Sequence, residues 1–230
     1  MSSKLTLDKI PATTRAETQD ALGRPLHDLR ISLLDQCNFR CPYCMPAAEF
    51  HAEYEFLRKQ QRLTYEEILR VARVAAGLGV SKIRLTGGEP LLDKNLTDLI
   101  AGLAKLTEIE DLALTTNGML LAPMAGKLAA SGLHRITISL DSLDEDVFGR
   151  MSGGRGDLKR VLAGIEAAER AGLSPIKINV VVERGMNDHT VMDLLDRFRG
   201  SGHIVRLIEY LSLIHISEPT RPMKESRMPS

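Results

Sequence analysis

Residues 82–90 read Lys82-Ile83-Arg84-Leu85-Thr86-Gly87-Gly88-Glu89-Pro90. Ile83 and Leu85 form an apolar file, Arg84 and Thr86 a polar one, and a glycine pair ends the run. Alternation at period two is the mark of a β-strand with two unlike faces. The pattern recurs along the chain. Leu29, Ile31 and Leu33 alternate with Arg30 and Ser32, and Leu112 and Leu114 precede Thr115 and Asn117. Ile136, Ile138 and Leu140 alternate with Thr137, Ser139 and Asp141, and Lys177 and Asn179 interrupt Ile176, Ile178 and Val180. Strands are predicted over residues 28–34, 82–85, 111–115, 135–141, 176–182 and 204–210.

Helical spacings fill the intervals. Ile68, Val71, Ala72, Ala75 and Leu78 follow a Thr64-x-x-Glu67 capping box; Leu96, Leu99, Ile100 and Leu103 form a second stripe. Leu158, Val161, Leu162 and Ile165 form a third, closed by Gly172. Strands alternating with helices predict βαβ units and an α/β fold with a parallel sheet. Six strands are too few for an eight-fold barrel, leaving an incomplete TIM-like (β/α)6 barrel or an open sheet. The two files favour the barrel, because a parallel sheet covered on both faces is almost wholly apolar. With the apolar files against helices, the polar files line a shared lumen. Each unpaired polar group buried there costs about 1–3 kcal/mol, so the lumen should hold water or a polar ligand. The plainer alternative is a half-exposed sheet with its polar face in solvent.

Composition narrows the function classes. The 230 residues carry 30 Lys plus Arg against 30 Asp plus Glu, which gives no general nucleic-acid or membrane-surface binder. Hydrophobic residues at 43% predict a globular chain. No apolar run approaches the roughly 20 residues of a membrane span, and the N-terminus has no signal core. The three cysteines, Cys37, Cys41 and Cys44, fall in one short segment, a poor disulfide framework. Grouped thiols suit a soft metal or cluster in a reducing compartment, so a cytoplasmic location is expected. Residues 1–26 read as a flexible arm and 27–210 as the folded core. Residues 211–230 contain LSLIHISEPTRP, which resembles a translated sequencing adapter; they are expected to be foreign to the protein, and the chain a truncated one.

Cys37-Asn38-Phe39-Arg40-Cys41-Pro42-Tyr43-Cys44 is C-x3-C-x2-C just past the first strand. Three thiolates suit a 4Fe–4S cluster with one iron left open to a small molecule. Zinc is the rival, but structural zinc wants four ligands, and His51 follows at no finger spacing.

These residues resemble the radical S-adenosylmethionine (SAM) superfamily, whose C-x3-C-x-aromatic-C motif is met with Tyr43 as the aromatic. Gly87-Gly88-Glu89-Pro90 resembles its segment for the methionyl amino group. Within the superfamily, the GTP 3′,8-cyclase family of molybdenum-cofactor biosynthesis is the nearest likeness. It rests on Asp28-Leu29-Arg30-Ile31-Ser32, residues 82–90, Thr115-Thr116-Asn117-Gly118, residues 139–144, Lys177-Ile178-Asn179 and Arg206-Leu207-Ile208-Glu209-Tyr210. The resemblance implies a cluster on Cys37, Cys41 and Cys44 whose open iron chelates SAM. One-electron cleavage of SAM then gives a 5′-deoxyadenosyl radical, which takes hydrogen from the GTP ribose so that C3′ attacks C8. It implies SAM contacts at Tyr43, Gly88 and Ser139, and GTP contacts at Arg30, Arg84, Thr115 and Lys177. It also implies an electron donor and admits a homodimer. Two departures stand out. The family has a second cluster on three further cysteines, which this chain does not contain, and Leu211 stands where the family has a methionine SAM contact. The rivals are a radical SAM enzyme acting on a peptide and a non-catalytic three-cysteine metal protein. Gly153-Gly154-Arg155-Gly156 is read as opening a helix, and Asn117 and Asp141 receive no role.

Overall fold

A computed structural model describes residues 18–210. Of the expected arm, residues 1–17 lie outside the described residues; the expected foreign tail, residues 211–230, lies wholly outside them. Within the described chain, Gln19 and Pro25 form an antiparallel bridge leading into the first strand.

The six strands are β1 Asp28–Ser32, β2 Lys82–Thr86, β3 Asp111–Thr116, β4 Arg135–Ser139, β5 Lys177–Val182 and β6 Ile204–Glu209. All pair in parallel in the order of the sequence, and β1 and β6 remain separate edges. This is the expected α/β, incomplete (β/α)6 architecture. Helices α1 Tyr65–Gly77, α2 Leu96–Leu103, α3 Ala125–Ala130, α4 Glu145–Met151, α5 Leu158–Arg170 and α6 Val191–Phe198 fill the connections. Crossovers of one hand between successive neighbours place every helix on the same face of a sheet. The opposite face is left to the polar files.

The apolar files form the core. Ile83, Leu85, Leu112, Leu114, Ile138, Ile178 and Val180 are fully buried against Ala72, Leu99, Ile100, Leu128, Val161 and Leu194 from the helices. Each such aliphatic side chain contributes about 1.5–3 kcal/mol by leaving water. The capping box forms as predicted: Glu67 N–H donates to Thr64 Oγ1 at 3.2 Å, and Thr64 N–H to Glu67 Oε2 at 2.7 Å. It starts α1 so that Ile68, Ala72 and Ala76, four residues apart, face the sheet. β6 pairs with β5 over six residues, yet Ile204, Leu207 and Ile208 stay exposed. No described helix is long and apolar enough to cross a membrane.

Candidate active site

The N-terminal ends of β1–β4 carry a closed ladder of charge. Asp28 pairs with Lys82 at 3.2 Å, Lys82 with Asp111 at 3.7 Å, and Arg135 grips Asp111. Strand register explains it, because Asp28, Lys82 and Asp111 are successive partners on one face. Two acids balance two cations.

One layer further along the same face, the balance disappears. Arg30 and Arg84 are register partners, and Lys177 lies beside Thr137, itself opposite Thr115. Arg206 is the register partner of Asn179, and Asn179 that of Ser139. Among the described residues Arg30, Arg84, Lys177 and Arg206 make no ion pair. Lys177 is held below the usual lysine range, first by burial and then by repulsion from Arg135, Arg206, Lys82 and Arg84. Arg84 Nε and Asn179 Oδ1 are buried without a partner. Orphaned polar groups beside clustered cations are chemically complementary to a polyanion carrying hydrogen-bond acceptors and donors.

Cys37, Cys41 and Cys44 stand on the loop leaving β1. Cys37 and Cys41 are partly buried against the core and Cys44 is exposed. Burial raises the Cys37 thiol and pushes that of Cys41 up to about 12; Cys37 is also raised by Glu89 and Cys44, and Cys41 by Asp141, Cys37 and Cys44. Thiols kept neutral in this way await a cation to become ligands. Among the described residues no group of three His, Cys, Asp or Glu is gathered tightly enough for a single metal ion. A zinc ion bound at about 2.3 Å would draw its sulfurs to within about 4 Å of one another. The three thiols Cys37, Cys41 and Cys44 match the ligand count of a 4Fe–4S cluster with one iron left open.

The loop is held from several sides. Arg40 N–H donates to Ser152 O at 3.1 Å, and its Nη1 donates to the carbonyls of Cys37 at 2.7 Å and Phe39 at 2.8 Å. Phe39 packs edge-on against Phe148 of α4, ring centroids 6.1 Å apart. Gly153, at φ +68°, lies so near that a Cβ there would be 2.0 Å from Arg40 O. The glycine run therefore does more than precede α5, since its first member admits the cysteine loop. Tyr43 O–H donates to Asp141 Oδ2 at 2.7 Å, while Val181 N–H donates to Asp141 Oδ1 at 2.8 Å. Burial raises the Asp141 carboxyl to about 6, against the lowering effect of these bonds.

Gly88 faces its own chain. A Cβ there would sit 2.1 Å from Gln36 O, and Glu89 N–H donates to Gln36 O at 2.8 Å. The Glu89 carboxylate, 1% exposed, accepts from Thr116 Oγ1 at 2.7 Å, Asn117 N–H at 2.7 Å and Leu91 N–H at 3.0 Å. The ends of β1, β2 and β3 are thus knit together beneath the cysteines. Sequence reasoning gave no site role to Arg206, whose file along β6 also carries Ile204 and Ile208 and so does not read as polar. It gave no role to Asn117 and Asp141, placed Glu89 in a motif without its supporting bonds, and missed Asn38 and the packing role of Gly153.

Three comparisons bear on the family. A model described as the Radical SAM superfamily matches residues 31–198. A GTP 3′,8-cyclase of Xanthomonas campestris pv. campestris is 51% identical over 204 residues, covering 89% of this chain and 60% of that protein. One from Acidothermus cellulolyticus is 52% identical over 195 residues, covering 85% and 54%. The chain therefore spans 60% or less of the length of these curated relatives. Streptococcus suis SuiB bound to S-adenosylmethionine superposes with a TM-score of 0.65 at 22% identity, over 80% of this chain and 41% of that one. That likeness shows the fold alone.

Proposed function

The chain belongs to the radical SAM superfamily, and on that premise we propose that residues 27–210 are the catalytic core of a GTP 3′,8-cyclase of molybdenum-cofactor biosynthesis. Cys37, Cys41 and Cys44 would hold a 4Fe–4S cluster, with SAM against Tyr43, Gly88 and Ser139. Arg30, Arg84, Thr115 and Lys177, joined by Arg206, would hold GTP. When bound and reduced by an electron donor, the cluster supplies the electron that cleaves SAM and so a radical able to take hydrogen from a ribose carbon.

The observation that carries the reading is the set of four cations without carboxylate partners, Arg30 and Arg206 among them exposed, on the sheet face shared with Thr115 and Ser139. Their task is to bind and orient a triphosphate, leaving the nucleoside toward the cysteine end of the strands. The Asp141 bond to Tyr43 and the backbone packing at Gly88 fix the walls on the SAM side. A peptide substrate would give the four cations no triphosphate to meet.

The test is anaerobic reconstitution followed by ligand binding. About four irons per chain are expected, and equilibrium dialysis should show GTP binding much more tightly than guanosine. Arg84→Ala and Lys177→Ala should each weaken GTP about 10- to 100-fold, the worth of one charge-assisted hydrogen bond, and leave guanosine unchanged. Equal affinity for GTP and guanosine, or stoichiometric zinc with no visible absorption, would overturn the assignment.

A further inference from the structure

The carboxamide of Asn117, just past the end of β3, is aimed at the cysteine loop. Its Nδ2 donates to Asn38 Oδ1 at 2.7 Å and lies 3.8 Å from Cys37 Sγ. Its orientation is not arbitrary, because Met119 N–H donates to Asn117 Oδ1 at 3.1 Å; a flipped amide would set two donors face to face. The backbone of Asn117 is fixed in turn by the bond to the buried Glu89 carboxylate. A second donor, Phe39 N–H, reaches the same sulfur at 3.3 Å. In the free thiol, the Cys37 S–H faces Asn38 Oδ1 at 3.9 Å. A sulfur bound to iron has lost that proton and can only accept, so the free N–H of Asn117 becomes its partner. Asn38 Nδ2 is turned away, toward Met119 Sδ at 3.5 Å.

We propose that Asn117 is a positioning residue that donates an N–H···S hydrogen bond to the Cys37 thiolate and thereby raises the reduction potential of the cluster. Hydrogen bonds to cluster sulfurs stabilise the more negative, reduced form, and outer-shell partners of metal ligands tune the site they surround. The inference rests on the cluster assignment above. Asn117 supplies the sulfur with a donor from the turn after β3, two strands away from β1, so the potential is set partly by that turn and not by the cysteine loop alone.

The experiment is an EPR-monitored redox titration of the reconstituted chain without SAM, alongside Asn117→Ala and Asn117→Asp. Alanine removes the donor; aspartate keeps the shape and the Met119 bond but cannot donate. Both should shift to lower potential. At fixed potential, a fall in the reduced-to-oxidised ratio on the order of tenfold is expected, about 59 mV for one electron. A purely packing role would change iron content or unfolding temperature and leave the potential alone. An unchanged or raised potential in a variant that holds four irons overturns the inference. If neither variant takes up the cluster, the unsubstituted holoprotein decides. Labelled with 15N at asparagine side-chain amides, its reduced cluster should show a 15N hyperfine coupling, and absence of that coupling refutes the bond. Failure of the unsubstituted chain to bind four irons would refute the cluster assignment itself, and this inference with it.

Discussion

Replacing Gly88 by alanine separates what the chain needs from what a ligand needs. The added Cβ would fall 2.1 Å from Gln36 O and 2.8 Å from Asp35 O, where real contacts stay beyond 3.0 Å. One backbone must therefore move by about 0.9 Å, and both belong to backbone segments held together by the Glu89-to-Gln36 hydrogen bond. Overpacking of this kind costs about 1–3 kcal/mol, and a lost backbone hydrogen bond about 1 kcal/mol more. Alanine returns about 0.4–1 kcal/mol by restricting the unfolded chain, which leaves a net loss of about 2–3 kcal/mol. With a urea slope of about 2 kcal/mol per molar, the unfolding midpoint of the metal-free chain should fall by about 1–1.5 M. Gly149→Ala is the control. It lies inside α4 with nothing within 4 Å of its would-be Cβ, and should stabilise by about 0.5–1 kcal/mol. Circular dichroism against urea reads both. A Gly88→Ala chain that unfolds at the parent midpoint yet loses SAM binding would refute the reasoning, for the glycine would then serve the ligand and not the fold.

Two further outcomes follow from the same contacts. The Asp141 carboxyl titrates near 6 in the folded chain against an ordinary 3.8, so folding takes up a proton between those values. Its burial penalty is absent below about pH 4, grows with pH, and is complete above about pH 6, reaching at most about 3 kcal/mol. The stability of Asp141→Asn relative to the parent should therefore rise from pH 4.5 to pH 7 in urea titrations of the metal-free chain; parallel pH profiles would count against the buried carboxylate. Thr64→Ala removes the capping box of α1 and should lower stability by about 1 kcal/mol, read as a drop in urea midpoint with no change in GTP affinity.

The sheet was legible because β1 to β5 write both of their faces into alternate letters, as Ile83 and Arg84 show, whereas β6 reads only as an apolar run. Helices α3 and α4 escaped, since six and seven residues hold barely two turns of period; α6 escaped although it is as long as the legible α2. The cysteines and the cations Arg30, Arg84 and Lys177 were visible as chemistry, whereas their supports were not. Asn117 meets Asn38 across 79 residues and Tyr43 meets Asp141 across 98, pairings that only the folded register creates. Gly88 is the instructive case. Its small size was evident, but only the packing shows that Gln36 takes up the space.

The self-neutral ladder across Asp28, Lys82, Asp111 and Arg135 has an effect beyond bracing the strands. It adds no net charge of its own, so the positive potential of Arg30, Arg84, Lys177 and Arg206 on the same sheet face is left uncancelled by it. A dipolar guest drifting past would be turned phosphate-first before touching any wall. That guidance reaches only about 8 Å at physiological ionic strength, so added salt should slow capture more than it hastens escape.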